Sequence, residues 1–308
     1  MPAPKTILIA GPTASGKSAL ALALAERLGG VVINADSMQV YRELSILTAR
    51  PGTADLARAP HVLYGHVPAA QVYSAGRWLV DAAREIAAAE AAGRVPIIAG
   101  GTGLYFEALL HGLSPVPAIP AAIRAHWRNE AERLGAEKLH GVLAARDPAM
   151  ADRLRPSDPQ RVTRALEVLE ATGRSLADWQ REAGTPLVAR NAAACLVLAP
   201  DRATLYARCE ARFDDMLAAG ALAEAAAMLA LGLPPELPAM RATGLRELMA
   251  HLRGDLTLEA AATAAKVATR HYAKRQETWI RGRMADWVRV SAQDVEGALS
   301  LFRRPTSS

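Results

Sequence analysis

Short, continuously apolar runs alternate with longer segments of helical spacing over the N-terminal third of the chain. Residues 5–10, 31–34 and 95–99 have the length and hydrophobicity of buried strands. Between them, residues 17–28 and 76–92 repeat their apolar side chains at helical spacing, and each segment is followed by a glycine. Strands that alternate with helices in this way predict a parallel sheet with crossover helices.

The pattern changes after Gly112, where a proline-rich stretch leads into arginine-rich amphipathic segments. Residues 121–143 and 158–171 predict helices, and residues 193–199 predict a further buried strand. From Arg202 onward the spacing is helical almost throughout. We therefore predict an α/β fold, a parallel sheet flanked by helices, with an inserted all-helical domain and a helical C-terminal region. The predicted parts are the first part of the core, the insertion and the second part of the core, over residues 1–116, 117–190 and 191–308.

The composition is that of a folded, globular protein. Of 308 residues, 51% are hydrophobic and 22% are charged, which excludes an intrinsically disordered chain. The two cysteines, Cys195 and Cys209, are too few for a four-cysteine metal framework or a scaffold of several disulfides, which indicates a reducing compartment. No apolar run reaches the roughly 18 residues that a membrane-spanning helix needs. We therefore expect a cytoplasmic protein that does not insert into a membrane.

Basic residues are concentrated near the C-terminus, although the formal net charge is only +5. Residues 266–289 contain seven lysines and arginines and only two acidic residues, Glu277 and Asp286. Such a stripe favours a polyanionic partner, because neutralising phosphates releases their counterions. A solvated helix face without a ligand gives the same pattern, so charge alone leaves both interpretations open.

A glycine-rich loop over residues 11–18 matches the motif G-x-x-x-x-G-K-S/T and lies between a predicted strand and a predicted helix. This spacing lets backbone N–H groups surround a phosphate at the positive end of the helix. The Lys17 ammonium adds a charge, and the Ser18 hydroxyl can bind Mg²⁺. The predicted fold is therefore of the P-loop NTPase type. The predicted diphosphate- or nucleotide-binding residues of the loop are Gly11, Pro12, Thr13, Ala14, Ser15, Gly16, Lys17 and Ser18.

Asp36 follows the second predicted strand and is expected beside the phosphate-binding loop. A carboxylate there can bind a metal through water, as in P-loop kinases, or accept a proton from a nucleophile. The position alone therefore leaves open both a kinase that uses ATP and another transferase with a phosphate leaving group. Asp36 can also cap its own turn, since Asp-Ser pairs are common there.

Six sequence blocks together resemble the tRNA dimethylallyltransferases, also called tRNA isopentenyltransferases, and they occur in that family's order. The blocks D-S-M-Q-V-Y at residues 36–41 and Y-A-K-R-Q-E-T-W at residues 272–279 are the most specific parts. All six together cover residues 11–18, 34–42, 100–105, 158–168, 201–206 and 269–279.

The resemblance implies the transfer of a dimethylallyl group to tRNA. The exocyclic amine of the adenosine 3′-adjacent to the anticodon would attack dimethylallyl diphosphate and expel pyrophosphate. Mg²⁺ is the implied cofactor, held at Ser18, and Arg212 would join the loop residues in binding the diphosphate. Asp36 is the implied general base, and Lys17 and Thr102 complete the implied catalytic set.

The resemblance also implies contacts with the anticodon stem-loop of tRNA, and no obligate protein partner is expected. The implied tRNA-binding residues are Asp36, Ser37, Met38, Gln39, Thr102, Arg124, Gln160, Arg161, Val162, Thr163 and Arg164. Local explanations remain open for some of them. Thr102 can cap the helix predicted from residue 104, and Arg161 and Arg164 can pair with nearby carboxylates on their own helix.

Two other functions remain open at the level of the sequence. A P-loop kinase of small molecules or nucleotides would turn over ATP and would be indifferent to RNA. A nucleotide-gated RNA-binding protein would carry out no chemistry and would tolerate the loss of Asp36. The basic C-terminal stripe disfavours the kinase, and the block around Asp36 disfavours the binding protein.

Overall fold

The computed structural model describes residues 5–303, and the fold is built on a six-stranded, all-parallel sheet. The strands are β1 Thr6–Ala10, β2 Val31–Asn34, β3 His61–Val62, β4 Pro96–Gly100, β5 Ala193–Leu198 and β6 Val288–Val290. Their order is β3-β2-β4-β1-β5-β6, so β1 is flanked by β4 and β5. Every residue of β1, β2, β4 and β5 is buried. Both faces of the sheet are therefore covered, as a parallel sheet with crossover helices requires.

Helices form most of the described chain outside the sheet. In chain order they are α1 Lys17–Leu28, α2 Thr53–Arg58, α3 Ala75–Ala91, α4 Gly103–His111, α5 Ala121–Leu134, α6 Ala136–Arg146, α7 Pro148–Ala151, α8 Pro159–Thr172, α9 Leu176–Trp179, α10 Arg202–Ala218, α11 Ala221–Ala230, α12 Leu245–Leu252, α13 Leu258–Arg283 and α14 Val295–Arg303. Two short 3₁₀ turns occupy Arg190–Ala192 and Pro238–Arg241.

Helix α1 shows how the sequence fixes the position of the phosphate-binding loop. It begins directly after Gly16 and ends at Gly29, and both glycines are left-handed, with φ angles of 92° and 60°. Leu20 and Leu24 are fully buried and pack in the hydrophobic cluster that includes Ile7 of β1. The packing places the positive end of α1 beside the carboxyl end of β1.

The carboxyl ends of β1, β2 and β4 lie at the same edge of the sheet, because parallel strands run in one direction. Ala10 of β1 is paired with Gly100 of β4. The loop after β4 packs closely on the loop after β2, since a Cβ on Gly100 would lie 2.0 Å from the Ala35 carbonyl oxygen. The Thr102 N–H donates to that same oxygen at 3.1 Å. Ligands of such sheets bind at this edge.

The chain divides into two compact units. One unit contains the sheet and comprises residues up to Leu110 and from Leu187 onward. The other, residues 111–186, carries α5 to α9 and has its own core, in which Trp127, Leu139 and Leu166 are buried. The predicted insertion, residues 117–190, falls largely on this helical unit. Its assignment as a separate tRNA-contacting domain stays a prediction.

The fold class predicted from the sequence is confirmed, and three local details differ. Residues 121–143, predicted as one helix, form parts of α5 and α6, because Gly135 between them has a φ of 74° that interrupts the helix. Strands β3 and β6 contain only 2 and 3 residues, which is too short for a hydrophobic pattern to reveal. No helix within residues 5–303 is long and apolar enough to cross a membrane.

Candidate active site

The glycine-rich loop between β1 and α1 turns tightly around the amino end of α1. Ala14 and Gly16 have left-handed φ angles of 61° and 92°, and the Ser15 N–H donates to the Pro12 carbonyl oxygen at 3.2 Å. A left-handed residue other than glycine is energetically costly and is found mainly at functional sites. The loop has the geometry in which backbone N–H groups surround a phosphate at a helix N-terminus.

Lys17 is buried at the first position of α1. Its Nζ donates to the Pro12 carbonyl oxygen at 3.3 Å. Burial lowers the pKa of Lys17 to about 8, although the negative charge of Asp36 opposes this shift. An ammonium group has three donors, so Lys17 retains hydrogen-bonding capacity for an anion beyond this contact with Pro12.

Arg212 reaches the same loop from α10. Its Nη1 donates to the Thr13 hydroxyl oxygen at 3.4 Å. Burial lowers the pKa of Arg212, and the charge of Asp36 again opposes the shift. An arginine nevertheless stays protonated in proteins. The loop is therefore faced by two cations from different helices, and both are close enough to Asp36 to be influenced by its charge.

Asp36 contacts its own turn through one carboxylate oxygen. Oδ1 accepts from the Met38 N–H at 2.9 Å, and the Asp36 N–H donates to the Asn34 side-chain oxygen at 2.8 Å. The capping role considered from the sequence is therefore present. Within residues 5–303 the other oxygen, Oδ2, has no hydrogen-bond partner, and it is free to accept a proton.

Thr102 joins the loop after β4 to the loop after β2. Its hydroxyl accepts from the Ser37 N–H at 2.9 Å and donates to the Ser37 hydroxyl at 3.3 Å. These hydrogen bonds between Ser37 and Thr102 hold the two loops together beside Asp36. A contact of this kind orients the turn that carries the carboxylate, whereas a direct catalytic role of Thr102 stays a prediction.

Gln39 is buried, and its side chain is hydrogen-bonded to the backbone of residues 48 and 49. Its Nε2 donates to the carbonyl oxygens of Thr48 and Ala49 at 2.8 and 3.0 Å. Both amide hydrogens are therefore used within the protein, and the side-chain oxygen is the part of Gln39 left for a nucleic-acid base. Its assignment as a tRNA-binding residue stays a prediction.

A cavity that is partly open to solvent lies between these loops and helices α10 and α13. Its polar wall carries Thr13, Asp36, Thr48 and Arg212. Its apolar wall is formed mainly by Met38, Leu47, Phe213, Met216 and the ring of Tyr272. A phosphate-binding loop, a carboxylate and an apolar surface therefore face a single space.

Several cavity residues were not predicted from the sequence. Tyr272 belongs to the block at residues 272–279 but not to the predicted site residues, and it lines the cavity together with Thr269, three residues earlier on α13. Burial raises the pKa of Tyr272, and the charge of Asp36 raises it further, so the phenol is protonated at neutral pH. The spacing of Thr269 and Tyr272 within one sequence block was the available signal, since residues three apart share a helix face.

The remaining predicted tRNA-binding residues lie in the helical unit, residues 111–186. Arg124 is exposed on α5, and Gln160 and Arg161 are exposed at the start of α8. The side chains of Val162 and Thr163 are buried, with 0% and 8% of each residue exposed, and their assignment as tRNA-binding residues stays a prediction.

The ion pairs considered from the sequence are present on α8. Arg161 lies 3.2 Å from a carboxylate oxygen of Asp158, and Arg164 lies 3.5 Å from one of Glu167. The exposed fraction of the side chain is 69% for Arg161 and 41% for Arg164. The Arg161–Asp158 pair is exposed and therefore weak, whereas Glu167 in the other pair is buried, with 9% of its side chain exposed.

A broad basic groove runs along α12 and α13. Its charged and ionisable lining residues are Arg241, Arg246, His271 and Arg275 together with one carboxylate, Glu247, and it shares Thr243 with the cavity. Arg275 also lies over the ring of Tyr272, with its guanidinium carbon 5.6 Å from the ring centre. The positive groove is therefore contiguous with the mouth of the cavity.

Ser18 is the predicted metal ligand and is exposed in the first turn of α1. Among the described residues, no group of three or more His, Cys, Asp or Glu side chains is arranged to hold a metal ion. Mg²⁺ needs only one or two protein ligands when substrate phosphates and water supply the rest. The Ser18 hydroxyl fits that role, and Mg²⁺ binding stays a prediction.

The fold and the glycine-rich loop define an α/β protein of the P-loop type, and Thr13 of the loop lines a cavity with an apolar wall. The family model described as IPP transferase matches residues 39–283, and the model described as isopentenyl transferase matches residues 4–65. The chain belongs to the IPP transferase family.

The chain is similar over nearly its full length to proteins named tRNA dimethylallyltransferase. It is 57% identical to that of Nitrobacter hamburgensis and 56% identical to that of Parvibaculum lavamentivorans, over 96% of this chain and 93% of the relative in each case.

Solved structures share the fold. A tRNA isopentenylpyrophosphate transferase from Bacillus halodurans aligns with a TM-score of 0.69 and 31% identity, over 97% of this chain and 94% of that chain. A eukaryotic dimethylallyltransferase, described as acting on tRNA, aligns with a TM-score of 0.80 and 28% identity, over 95% and 75% of the two chains.

Proposed function

We propose that this protein transfers a dimethylallyl group from dimethylallyl diphosphate to the exocyclic amine of an adenosine, 3′-adjacent to the anticodon of tRNA, and releases pyrophosphate. One observation carries the proposal. The cavity places a phosphate-binding loop, the free oxygen of Asp36 and an apolar wall around a single space. The names of its relatives support this transfer over phosphoryl transfer from ATP.

The diphosphate is the leaving group in this proposal. Its charge grows as the carbon–oxygen bond breaks, and groups already oriented toward it stabilise that charge. The N–H groups at the start of α1, the Lys17 ammonium and the Arg212 guanidinium supply this stabilisation. Bound Mg²⁺, held by Ser18 and the phosphates, would neutralise further charge on the leaving pyrophosphate.

The apolar wall holds the five-carbon group. Leu47, Phe213 and Met216 present hydrocarbon and sulfur surface where a nucleotide kinase would need polar groups for a second substrate. Burial of a dimethylallyl group against this surface is favourable by about 0.8 kcal/mol per buried methylene-sized group. It also keeps water away from the reactive carbon, and so limits hydrolysis of the donor.

Asp36 acts as the general base. The lone pair of the adenosine amine forms the new nitrogen–carbon bond while the carbon–oxygen bond to the diphosphate breaks. The amine then carries a surplus proton, and the free carboxylate oxygen of Asp36 takes it. The Met38 N–H and the Ser37–Thr102 contact hold the carboxylate in position for this transfer.

The tRNA binds along the basic groove of α12 and α13. Arginines such as Arg246 and Arg275 bind backbone phosphates or stack on bases, and the groove continues into the cavity. The target adenosine must leave the anticodon-loop stack, and single-stranded loops make that extrusion cheap. Arg161 and Arg164 of α8 contribute further phosphate contacts. The reaction takes place in the cytoplasm, where tRNA is processed.

The test is incubation of the purified protein with Mg²⁺, unmodified tRNA and radiolabelled dimethylallyl diphosphate, with labelled ATP in a parallel reaction. The expected result is label in tRNA at the adenosine beside the anticodon. A tRNA in which guanosine replaces that adenosine serves as the matched control and should stay unlabelled. Absence of label in tRNA, together with phosphate transfer from ATP, would refute the proposal in favour of a kinase.

A further inference from the structure

The buried side chain of Gln276, on α13, bridges two glycine-rich loops. Its side-chain oxygen accepts from the Thr13 N–H at 2.8 Å, and its Nε2 donates to the Gly101 carbonyl oxygen at 2.9 Å. Only 6% of the residue is exposed. One amide thus connects the phosphate-binding loop after β1 with the loop after β4.

Close packing fixes Gln276 in this place. A Cβ on Gly101 would lie 2.1 Å from the Gln276 side-chain nitrogen, and a Cβ on Gly103 would lie 2.1 Å from the Trp279 indole nitrogen. Helix α13 therefore lies directly against the second loop, and both glycines are needed for this approach. A side chain clamped in this way has little freedom to turn away from Thr13.

The hydrogen bond to Gln276 orients one particular peptide group. The Thr13 N–H and the Pro12 carbonyl belong to the same planar unit. Gln276 binds the N–H end, whereas the carbonyl end accepts from the Lys17 ammonium at 3.3 Å and from the Ser15 N–H at 3.2 Å. A rotation of this peptide would break all three contacts together.

We infer that Gln276 is a positioning residue for the diphosphate site. It holds the Pro12–Thr13 peptide in the orientation that directs the Pro12 carbonyl toward Lys17, and thereby fixes the Lys17 ammonium at the loop. Gln276 is assigned this role through the loop and not through contact with the diphosphate, since its side chain is buried and bonded to Thr13 and Gly101. The inference rests on the proposed function, in that the loop binds a diphosphate.

The first test compares Gln276→Met with the wild type. Methionine fills a similar volume and forms neither hydrogen bond, so the Pro12–Thr13 peptide loses its N–H partner. Affinity for inorganic pyrophosphate with Mg²⁺, measured by calorimetry, should fall by about tenfold, which corresponds to the loss of one or two buried hydrogen bonds. The control is Thr278→Ala on the exposed side of α13, where the hydroxyl donates to the Lys274 carbonyl of its own helix and has no other hydrogen bond within residues 5–303. Its affinity should stay within about twofold of the wild type.

The second test uses Gln276→Glu and its response to pH. A protonated carboxyl group can replace the amide, since its carbonyl accepts from Thr13 and its hydroxyl donates to Gly101. An ionised carboxylate cannot donate to the Gly101 carbonyl, and it adds a negative charge near the diphosphate. The pyrophosphate affinity of Gln276→Glu relative to the wild type should therefore rise as the pH falls through the pKa of the introduced carboxyl, while the ratio for Gln276→Met stays flat.

The outcomes separate this inference from the proposed function. Wild-type protein that binds no pyrophosphate overturns the diphosphate site, and the inference with it. Wild-type binding with equal affinity in Gln276→Met overturns the inference alone. Thermal melting of each variant shows whether the fold persists. If Gln276→Met does not fold, the pH response of Gln276→Glu decides, and a flat response overturns the inference.

Discussion

The two carboxylate oxygens of Asp36 have different surroundings, and this difference allows its roles to be separated. Asparagine at this position keeps an oxygen that accepts from the Met38 N–H, but it cannot accept a proton. We predict that Asp36→Asn slows transfer in a single turnover by about 10²- to 10⁴-fold, the usual contribution of a general base. The affinity for tRNA should change by less than about twofold.

The control for that variant is Asp36→Ala, which removes the base and the turn contact together. Its single-turnover rate should be no higher than that of Asp36→Asn. Any additional loss of rate measures the contribution of the hydrogen bond from the Met38 N–H to the Asp36 carboxylate. Weakened tRNA binding with an unchanged single-turnover rate in Asp36→Asn would show that the carboxylate binds RNA and is not the base.

The low pKa of Lys17 predicts that binding of the donor depends on pH. Burial lowers this pKa to about 8, so free protein loses the ammonium charge as the pH rises through that value. The value of kcat/KM for the donor, which reports on the free protein, should be steady below this pH and fall by up to about tenfold per pH unit above it.

Lys17→Arg provides the comparison, because a guanidinium keeps its charge throughout this range. Its residual kcat/KM should show no decline near pH 8. A wild-type profile that stays flat well beyond this value would mean that the charge of Lys17 does not contribute to donor binding.

At the residue scale, the sequence reveals a functional group when a local motif determines its geometry. The loop at residues 11–18 was recognisable because glycine and lysine at fixed spacing have one main structural use. Gln276 and Tyr272 belong to a recognised block, but their contacts are with Thr13 and the cavity, far away in sequence. Contacts over that distance depend on how α13 packs, which the spacing within the block does not determine.

At the scale of elements, helix α11 organises the segment that precedes α2. The Glu224 carboxylate accepts from the N–H groups of Ser45, Ile46 and Leu47 at 2.7 to 2.9 Å, and from the Ser45 hydroxyl at 3.0 Å. This segment has no helix or strand of its own there, and it supplies Leu47 to the apolar wall of the cavity. One side chain therefore replaces the regular backbone hydrogen bonds of the segment.

We predict that Glu224→Gln lowers the free energy of unfolding by about 1 kcal/mol, toward the lower end of the cost of leaving a polar group without its partner, because Glu224 is half-buried. Glutamine has one acceptor oxygen instead of two, and its amide hydrogens would face the N–H groups of the segment. Urea denaturation gives the change in stability, and KM for the donor should rise in parallel because Leu47 is displaced.

The matched substitution Glu236→Gln tests the same chemical change on an exposed carboxylate between α11 and α12. It should leave the free energy of unfolding and the KM for the donor unchanged within error. Equal stabilities of the Glu224 and Glu236 variants would mean that Glu224 does not hold the segment.

Elements were predictable from the sequence where they are long and regular. Residues 17–28 and 31–34 were predicted with the bounds that the structure has. Two glycines mark the end of the helix, and the strand begins with three consecutive β-branched apolar residues. The break at Gly135 was missed, since the apolar spacing continues across it. Strands β3 and β6 were missed because two or three residues are too few to show a repeating pattern of apolar side chains.

At the scale of the whole molecule, the basic residues predict a salt-dependent affinity for tRNA. Each phosphate contact with single-stranded nucleic acid contributes about 0.7 to the slope of log K against log salt concentration. We predict that Arg275→Ala and Arg164→Ala each reduce the slope by about this amount and weaken binding at low salt. Fluorescence titration with an anticodon stem-loop at several salt concentrations measures it.

Arg84→Ala is the control for this series. Arg84 is an exposed arginine of α3 that pairs with Asp81 and Glu85, and it lies outside the basic groove. Its slope should match that of the wild type. An unchanged slope in Arg275→Ala would show that Arg275 on α13 makes no phosphate contact. The same result in Arg164→Ala would show that Arg164 on α8 makes none.

The central claim is that the loop at residues 11–18 binds a leaving group and not a triphosphate donor. The most direct test is the stoichiometry of the reaction, with pyrophosphate release and tRNA modification measured in the same tube without ATP. We predict one pyrophosphate released for each adenosine modified, and no release when tRNA is omitted. Pyrophosphate release without tRNA modification, or a requirement for ATP, would contradict the account.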